Sequence, residues 1–413
     1  MEKYFINMTT FQKVKLGDVI IKIIGGGTPS KNNLKYWNGS LPWASVKDLH
    51  DNKYYLDSTE DFITEEGLKN SASNLIKKGT VILPTRMGLG RVVKTRIDTT
   101  INQDLKALIP NEKINNDFLL WILIYSGKKL QTLGNGSTVS GIRLEDLKNI
   151  KIDLPDLPTQ TRIASVLSAY DDLIENNEKR IKALEEMARL LYIEWFVKFK
   201  FLGHEKVKMV NSELGKIPEG WGVGKISDLV NIVSGFSFKG STYQESGKYK
   251  IVTIKNVHDS RFVLNFDSFI DKLPSKLPIA CILKNGDILL SLTGNVGRIC
   301  VVYGQNHVLN QRVAKLDPVN KNNREFIYLL FRQKRFQQKL EAMSNGAAQQ
   351  NLSPIQVKGI KVLIPNSEIL DKFSQFVGKY FDLSLSLQQK NQELSQIRDL
   401  LIPQLVTGKR ELE

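Results

Sequence analysis

Residues 25–49 combine groups that could bind a phosphate with aromatic side chains that could contact a base. Three consecutive glycines precede a Thr-Pro-Ser-Lys run, and Tyr36, Trp37 and Trp43 follow. A phosphate-cradling loop ends in Gly-Lys-Ser/Thr and opens a helix, because the N–H groups at the start of a helix bind the anion. That ending is absent here. The stretch is therefore expected to form a turn that presents Lys31, Tyr36 and Trp37 on one face of a domain.

No other stretch carries a catalytic pattern. The four histidines do not form His-Glu-x-x-His or a Cys/His zinc cluster, and the chain has no Gly-x-Ser-x-Gly nucleophile elbow. The glycine-rich pieces MGLGR and TGNVGR lie between β-like runs instead of opening a helix, which is typical of tight turns and not of nucleotide-binding loops. The sequence therefore predicts no catalytic residue, no metal site and no cofactor in this chain.

The net charge gives the first indication of a partner. The 413 residues include 58 Lys and Arg against 43 Asp and Glu, a formal charge of +15. Such an excess favours an anionic partner, either nucleic acid or an acidic membrane surface. The longest apolar run, residues 118–125, is far shorter than the ~20 residues that a membrane-spanning helix needs. Nucleic acid is therefore the expected partner.

The N-terminus and the cysteines indicate a cytoplasmic protein. The first ten residues contain neither the apolar core nor the cleavage site of a signal peptide. Cys281 and Cys300 lie in apolar, strand-like runs without C-x-x-C spacing. We expect both to be reduced core residues.

An internal repeat divides the chain into two similar halves. The segment KNIKIDLP at residues 148–155 recurs as KGIKVLIP at residues 358–365, an offset of 210 that also relates Leu184 to Leu394. Further blocks upstream recur at offsets of 207 or 208. A period of half the chain indicates a duplicated domain and not a solenoid. Two such domains are expected to pack with approximate two-fold symmetry, which on a basic protein suggests two contacts along one DNA duplex.

Each half has a β-rich part followed by a helical part. Short apolar runs separated by Gly, Asn and Pro predict a mixed sheet, with one helix each at residues 117–133 and 324–343. The predicted fold class is α+β, with two similar globular domains joined by two long helices. The predicted boundaries are residues 9–155 for the first globular domain, 156–200 for the first helical region, 208–365 for the second globular domain and 366–410 for the second helical region.

The helical regions carry a coiled-coil pattern. In residues 171–195 the seam positions, Asn177 among them, recur at alternating spacings of three and four, whereas Asn391 and Arg398 interrupt the second seam and Pro403 is expected to end its helix. Packed antiparallel, about 25 residues at ~1.5 Å each span roughly 38 Å, close to the ~34–36 Å between DNA half-sites one turn apart. The predicted seam residues are Ile174, Ile181, Leu184, Leu191, Leu387, Leu394 and Leu401.

Candidate DNA contacts follow from the repeat. Basic residues shared by both halves are expected to bind phosphates, whereas unshared residues are expected to read bases, because two half-sites differ in sequence. The shared candidates are Lys47, Arg91, Lys255 and Arg298. The unshared candidates are Lys31, Tyr36, Trp37, Arg86, Arg143, Lys239, Tyr243, Arg261, Arg312 and Gln349.

Three stretches of the chain resemble the specificity (S) subunit of type I restriction–modification systems. Residues 25–49 (GGGTPSKNNLKYWNGSLPWASVKDL) are similar to the opening of a target recognition domain in that family. Residues 195–221 (WFVKFKFLGHEKVKMVNSELGKIPEGW) resemble the junction between its first helical region and its second recognition domain. Residues 401–412 (LIPQLVTGKREL) resemble its C-terminus, so the resemblance spans nearly the whole chain.

The resemblance implies a non-catalytic, cytoplasmic subunit in which each recognition domain binds one half of a split, asymmetric site on double-stranded DNA. It implies that the helical regions form a spacer that docks two methyltransferase (M) subunits, and that restriction (R) subunits join to make an ATP-dependent nuclease. S-adenosylmethionine and the adenine chemistry would belong to the M subunits. The second helical region begins PNSEILDKF and lacks the counterpart of Gln160, so the two docking surfaces are expected to differ.

Two other classes of protein share some of these features. A free-standing two-domain DNA-binding regulator would share the charge and the repeat, and stays open as the alternative. A stand-alone nuclease–methylase fusion would need catalytic motifs that the chain lacks.

Overall fold

The computed structural model describes residues 10–134, 141–344, 350–410 and 412. The chain divides into two compact units, each described by itself below. Unit 1 comprises Met1–Ile174 and Leu394–Glu413, and unit 2 comprises Glu175–Glu393. The boundary falls inside both long helices, so each unit contains a globular domain and parts of two helices.

Unit 1 contains a mixed β-sheet domain with short helices. Its elements are β1 (Gln12–Lys15), β2 (Ile20–Gly25), β3 (Trp37–Ala44), β4 (Tyr55–Leu56), β5 (Asp61–Ile63), α1 (Glu65–Lys69), β6 (Leu75–Ile76), β7 (Val81–Pro84), β8 (Val93–Thr95), β9 (Thr99–Ile101), β10 (Leu105–Pro110), α2 (Asn116–Tyr125), α3 (Gly127–Gly134), α4 (Leu144–Lys148), β11 (Lys151–Leu154) and the start of α5 (Leu157–Tyr192).

Unit 2 repeats this arrangement after the end of α5. Its elements are β12 (Met209–Ser212), β13 (Gly215–Pro218), β14 (Gly222–Lys225), α6 (Ile226–Leu229), β15 (Val230–Ser234), β16 (Tyr249–Val252), β17 (Val257–His258), β18 (Arg261–Phe262), β19 (Phe269–Ile270), β20 (Ile282–Leu283), β21 (Ile288–Ser291), β22 (Ile299–Val301), β23 (His307–Leu309), β24 (Val313–Pro318), α7 (Arg324–Phe331), α8 (Lys334–Met343), α9 (Pro354–Lys358), β25 (Lys361–Ile364) and most of α10 (Ser367–Val406).

The sheet topology confirms the duplication and the α+β class. The strand order β2-β10-β7-β8 in unit 1 matches β15-β24-β21-β22 in unit 2, and β5-β3-β9-β6 matches β19-β16-β23-β20. In each domain the strand that opens it pairs antiparallel with the strand that closes it, β1 with β11 and β14 with β25. The order of the shared strands is therefore the same in both halves, whereas unit 1 adds β4 beside β8, and unit 2 has a separate β17-β18 pair.

The two cysteines lie in the core, as the sequence predicts. Cys281 and Cys300 are both free thiols without exposed surface. Burial raises the pKa of both thiols, which keeps them protonated.

The two helices predicted over residues 117–133 and 324–343 are each broken into two. In unit 1 the break lies at Ser126, whose hydroxyl donates to the Ile122 carbonyl oxygen at 2.8 Å, and Gly127 then packs against the Gly90 backbone. In unit 2 the break lies at Gln333, whose backbone is extended before α8 begins. In each half the first helix is mostly buried, whereas the second carries several exposed residues.

Two further predictions about the long helices are wrong. Pro403 lies within α10, which continues to Val406. Proline costs the helix the N–H donor at position 403, and α10 ends within one turn after it. In addition, α5 is 36 residues long, about 54 Å at ~1.5 Å per residue, so the 38 Å expected from the coiled-coil pattern is too short. The extra length comes from residues 157–170, which pack on the core of unit 1 through Ile163 and Leu167.

The long helices run antiparallel within each unit. In unit 2, Asn177 of α5 lies beside Asn391 of α10, and Trp195 lies beside Phe373, with ring centroids 5.6 Å apart. In unit 1, Asp171 contacts Arg398, and Arg162 contacts the Leu412 carbonyl oxygen at 2.7 Å. In both units, residue numbers rise along one helix as they fall along the other.

Candidate nucleic-acid interface

The glycine-rich stretch of unit 1 folds as a braced loop. Trp43 donates from Nε1 to the Gly27 carbonyl oxygen at 3.0 Å, and Trp37 donates from Nε1 to the Ser30 carbonyl oxygen at 3.1 Å. The two indole rings meet edge to face, with centroids 5.2 Å apart. The tryptophans therefore hold the loop, and Lys31 stands exposed on the turn that follows Ser30.

Gly26 is required by a close approach of two backbone segments. A Cβ atom on Gly26 would lie 1.9 Å from the Ile101 carbonyl oxygen, a distance that no side chain tolerates. Gly235 has the same relation to the end of β23 in unit 2, where a Cβ would lie 2.2 Å from the Asn310 carbonyl oxygen. These glycines serve packing, and they recur because both domains need the same approach.

Four of the predicted DNA-binding cations are paired with carboxylates. Lys47 contacts Asp61 at 2.8 Å and Glu60 at 3.0 Å, and the hydrogen bonds to Asp61 first and then Glu60 raise the pKa of Lys47. The other three pairs are Arg91 with Asp51 at 2.9 Å, Arg86 with Asp104 at 3.7 Å and Lys255 with Asp267 at 2.6 Å. A phosphate would have to compete with these carboxylates for each cation.

The remaining predicted cations make no side-chain ion pair or hydrogen bond with any described residue. All are exposed except Arg298, which is half-buried. They are Lys31 and Arg143 in unit 1, and Lys239, Arg261, Arg298 and Arg312 in unit 2. Their charges are available to an external anion.

Arg298 and Arg312 flank the end of strand β21. The Ser291 N–H donates to the Arg298 carbonyl oxygen at 2.9 Å, and the Leu292 N–H donates to that of Arg312 at 3.1 Å. The equivalent of Arg312 in unit 1 is Asp104, which pairs with Arg86. At the same place in the fold, one domain therefore has a neutralised pair and the other an unpaired arginine.

The predicted polar and aromatic contacts differ in exposure. Tyr36 and Trp37 are half-buried. The Tyr36 backbone packs closely on Gly67, where an added Cβ atom would lie 2.5 Å from the Tyr36 carbonyl oxygen. Tyr243 is 37% exposed, and its hydroxyl oxygen lies 3.5 Å from Nδ2 of Asn310. Gln349 lies outside the described residues.

The predicted seam residues differ in burial. Leu387 is buried, whereas the others are half-buried. Asn391 and Arg398 do not interrupt the contact, since both face α5 and bond to it. The sequence pattern places Asn177 on the seam but does not reveal its pairing with Asn391, or that of Asp171 with Arg398.

Gln160 is a structural residue. Its side chain has no exposed surface, accepts a hydrogen bond from the Asn115 N–H at 2.7 Å, and donates to the carbonyl oxygens of Lys113 at 3.0 Å and Pro155 at 2.8 Å. The equivalent residue in the second half is Leu370, which is also buried. The difference is therefore one of internal packing and gives no support to unequal docking surfaces.

Two kinds of feature are missing from the described part of the chain. No group of three or more His, Cys, Asp or Glu residues there is arranged to hold a metal ion. Among those same residues, no helix combines the length and apolarity needed to cross a membrane.

The chain matches one protein family along most of its length. The family model described as Type I restriction modification DNA specificity domain matches twice, at residues 8–186 and 218–396. The chain is 30% identical over 402 residues to the specificity subunit of the type I restriction enzyme MjaIX from Methanocaldococcus jannaschii, covering 95% of this chain and 92% of that protein. It is 29% identical over 418 residues to the MjaVIII specificity subunit of the same organism, covering 97% and 92%.

A solved structure shares the fold. The crystal structure of a type I restriction–modification S subunit from M. genitalium superposes with a TM-score of 0.60 at 17% sequence identity, covering 99% of this chain and 98% of that one.

Proposed function

Because this chain belongs to the family of type I restriction–modification DNA specificity domains, we propose that it is the DNA sequence-specificity subunit of a type I restriction–modification complex. Each of its two recognition domains binds one half of a split, asymmetric site on double-stranded DNA. The observation that carries this proposal is the double match of the family model, once in each half, together with relatives that align with nearly the whole chain. A match to this family is not expected of a free-standing DNA-binding regulator.

The domain boundaries proposed from the sequence have support in the secondary structure. Residues 9–155 and 208–365 serve as the recognition domains, and residues 156–200 and 366–410 as the helical spacer. The closing strand of the first domain ends at Leu154 and α5 begins at Leu157, whereas β25 ends at Ile364 and α10 begins at Ser367. Each helix thus starts within a few residues of the end of its domain.

The predicted contacts fall into two groups by their electrostatics. We assign the unpaired cations, such as Lys31 and Arg312, to direct contact with DNA, because binding a phosphate or a guanine edge there breaks no existing ion pair. The paired cations, such as Lys47 and Lys255, bind DNA only by exchanging a carboxylate for a phosphate. Arg312 of unit 2 and its counterpart Asp104 of unit 1 differ in charge, and we expect the two domains to read their half-sites differently at this position.

The enzymatic activities belong to partners. The relatives are named specificity subunits of restriction enzymes, and we propose that this chain has the same non-catalytic role in the cytoplasm. Its helices set the spacing of the half-sites and dock methyltransferase subunits, two of them by the symmetry of the repeat. Those subunits supply S-adenosylmethionine-dependent adenine methylation, and restriction subunits join through the complex to supply ATP-dependent cleavage.

The test is methylation mapping in a host that lacks its own adenine methylation. This chain is expressed with its cognate methyltransferase subunit, and methylated adenines are mapped across the genome. We expect one bipartite motif, and no methylation when either subunit is omitted. Replacing residues 9–155 with the aligned segment of the MjaVIII subunit is expected to change one half of the motif and leave the other half intact.

Two results would contradict the proposal. Methylation by this chain alone would make it an enzyme. A motif that stays unchanged, or that changes in both halves, after the exchange would refute the assignment of one half-site to each domain.

A further inference from the structure

We propose that two buried polar contacts choose the partner of each long helix, so that α5 accepts α10 and both helices reject a second copy of themselves. Because the chain is a duplication, each helix carries an apolar seam of similar spacing. Nothing in an apolar seam distinguishes α5 with α10 from α5 with the α5 of another chain. Polar residues on the seam make that distinction.

The first contact lies in unit 1 and is a buried ion pair. The Arg398 guanidinium of α10 bonds to the Asp171 carboxylate of α5, and these side chains are only 2% and 12% exposed. The same guanidinium bonds to Asp399 at 2.9 Å and stacks 4.6 Å from the ring centroid of Tyr54. Burial raises the pKa of Asp171, so its charge in this position depends on the arginine.

The second contact lies in unit 2 and is a pair of amides. Nδ2 of Asn177 on α5 donates to Oδ1 of Asn391 on α10 at 2.8 Å, and Asn177 is 3% exposed. A single asparagine pair of this kind in a helical seam fixes register and partner, because each amide supplies a hydrogen-bonding group to the other.

The repeat shows what each residue would meet in a pairing of like helices. The 210-residue offset makes Ala188 the equivalent of Arg398, and Ile181 the equivalent of Asn391. If α5 paired with another α5 in the same antiparallel register, Asp171 would therefore face alanine and Asn177 would face isoleucine.

The same holds for α10. By the same offset Phe381 is the equivalent of Asp171, and Leu387 is the equivalent of Asn177. In a pairing of two α10 helices, Arg398 would face phenylalanine and Asn391 would face leucine. A pairing of two α5 helices thus places the Asp171 carboxylate and the Asn177 amide against apolar residues. A pairing of two α10 helices deprives Arg398 of Asp171 and leaves it with Asp399 of its own helix. Both losses are unfavourable.

This selectivity predicts that the ion pair can be re-matched between two chains. Asp171→Arg places a second guanidinium opposite Arg398, and Arg398→Glu places a second carboxylate opposite Asp171. Each variant is mismatched within its own chain and with its own copies. When the two are combined, the arginine introduced on α5 of one chain can pair with the glutamate introduced on α10 of the other. The native Asp171 of the second chain and the native Arg398 of the first then pair in return.

The experiment co-expresses the two full-length variants with different affinity tags and measures mass and composition by tandem purification and native mass spectrometry. We expect the two variants to form a 1:1 heterodimer. The controls are two differently tagged copies of the same variant, or of the wild type, and the heterodimer should be at least tenfold more abundant than the dimers in any of these controls. The chain that carries both changes is the matched control. It should recover the wild-type oligomeric state and a melting temperature above that of either single variant. Recovery of the melting temperature stays incomplete because glutamate at position 398 cannot bond to Asp399 or stack on Tyr54.

Each outcome decides the proposal. If the single variants are insoluble alone, rescue of both by co-expression supports it, and failure of that rescue overturns it. A heterodimer no more abundant than the same-variant dimers overturns it as well. If the doubly changed chain does not recover, charge complementarity is not what selects the partner, and the inference fails.

Discussion

His307 is a buried histidine whose protonation should weaken unit 2. The side chain has no exposed surface and packs against Phe262 and Phe266, with ring centroids 5.2 Å from each. Its Nε2 lies 3.1 Å from the Tyr303 carbonyl oxygen, whereas Nδ1 has no hydrogen-bond partner among the described residues. Burial, and then the positive charge of Lys250, lower the pKa of His307 from 6.5 to about 4.

The sign and the size of the effect follow from that shift. The unfolded chain binds a proton near pH 6.5 while the folded chain does so near pH 4, so unfolding takes up a proton between these values and stability falls as the pH falls. The contribution is fully present above pH 6.5 and is lost as the pH falls through about 4. At about 1.4 kcal/mol per pKa unit, the whole loss is about 3 kcal/mol, of which roughly 2 kcal/mol is reached at about pH 5.

The assay compares the wild type with His307→Gln by urea denaturation at about pH 7.5 and about pH 5. Glutamine does not titrate and retains an N–H donor for the Tyr303 oxygen. Buried carboxyl groups with a raised pKa, such as Glu185, shift stability in the opposite direction over this range, but they are common to both proteins and cancel. The wild type is expected to lose about 2 kcal/mol more than the variant between the two pH values. An equal loss in both proteins would refute the assignment of a low pKa to His307.

Two further predictions address packing and DNA contact. Replacing Gln160 with Leu, the residue type at the equivalent Leu370, removes the hydrogen-bond partner of the Asn115 N–H and of the Lys113 and Pro155 carbonyl oxygens. The substitution should lower the free energy of unfolding, measured by urea denaturation, by about 3 kcal/mol. The control is Leu370→Met, which should cost less than ~1.5 kcal/mol. Equal losses in the two variants would contradict the structural role of Gln160. For DNA, Lys31→Gln should reduce the slope of log K against log salt by about 0.9 in fluorescence anisotropy, and Lys47→Gln by less, because Lys47 is held by two carboxylates. Equal slopes for the two variants would show that the ion pairs of Lys47 do not affect its contribution to DNA binding.

The repeat was the feature of the sequence that predicted most about the fold. A sheet domain specified twice by the same spacing of apolar runs must fold twice in the same way, and the matching strand orders confirm this. The broken helices could not be predicted in the same way. The apolar pattern of residues 117–133 predicts one helix, whereas the structure has a break at Ser126, where Gly127 lies against the backbone of Gly90 from a distant loop.

The sequence could nominate DNA contacts but could not rank them. The repeat separates Lys31 from Lys47 only as an unshared from a shared residue, and the sequence does not show which of the two is held by carboxylates. Whether a lysine is free or held depends on which carboxylates the fold brings within hydrogen-bond distance, and Lys47 meets Asp61 only because β3 pairs with β5. The tertiary structure therefore supplied the division into paired and unpaired cations.

Composition and residue order were sufficient to predict the duplication, the α+β class, the basic charge and the resemblance to a family of DNA-specificity subunits, because each of these properties can be read along one chain. The folded structure was needed to show that Gly26 is a packing residue, that Gln160 is buried, and that Asp171 and Asn177 find partners on the opposite helix. Such contacts join residues far apart in sequence, and a buried polar group is stable only where the fold supplies its partner.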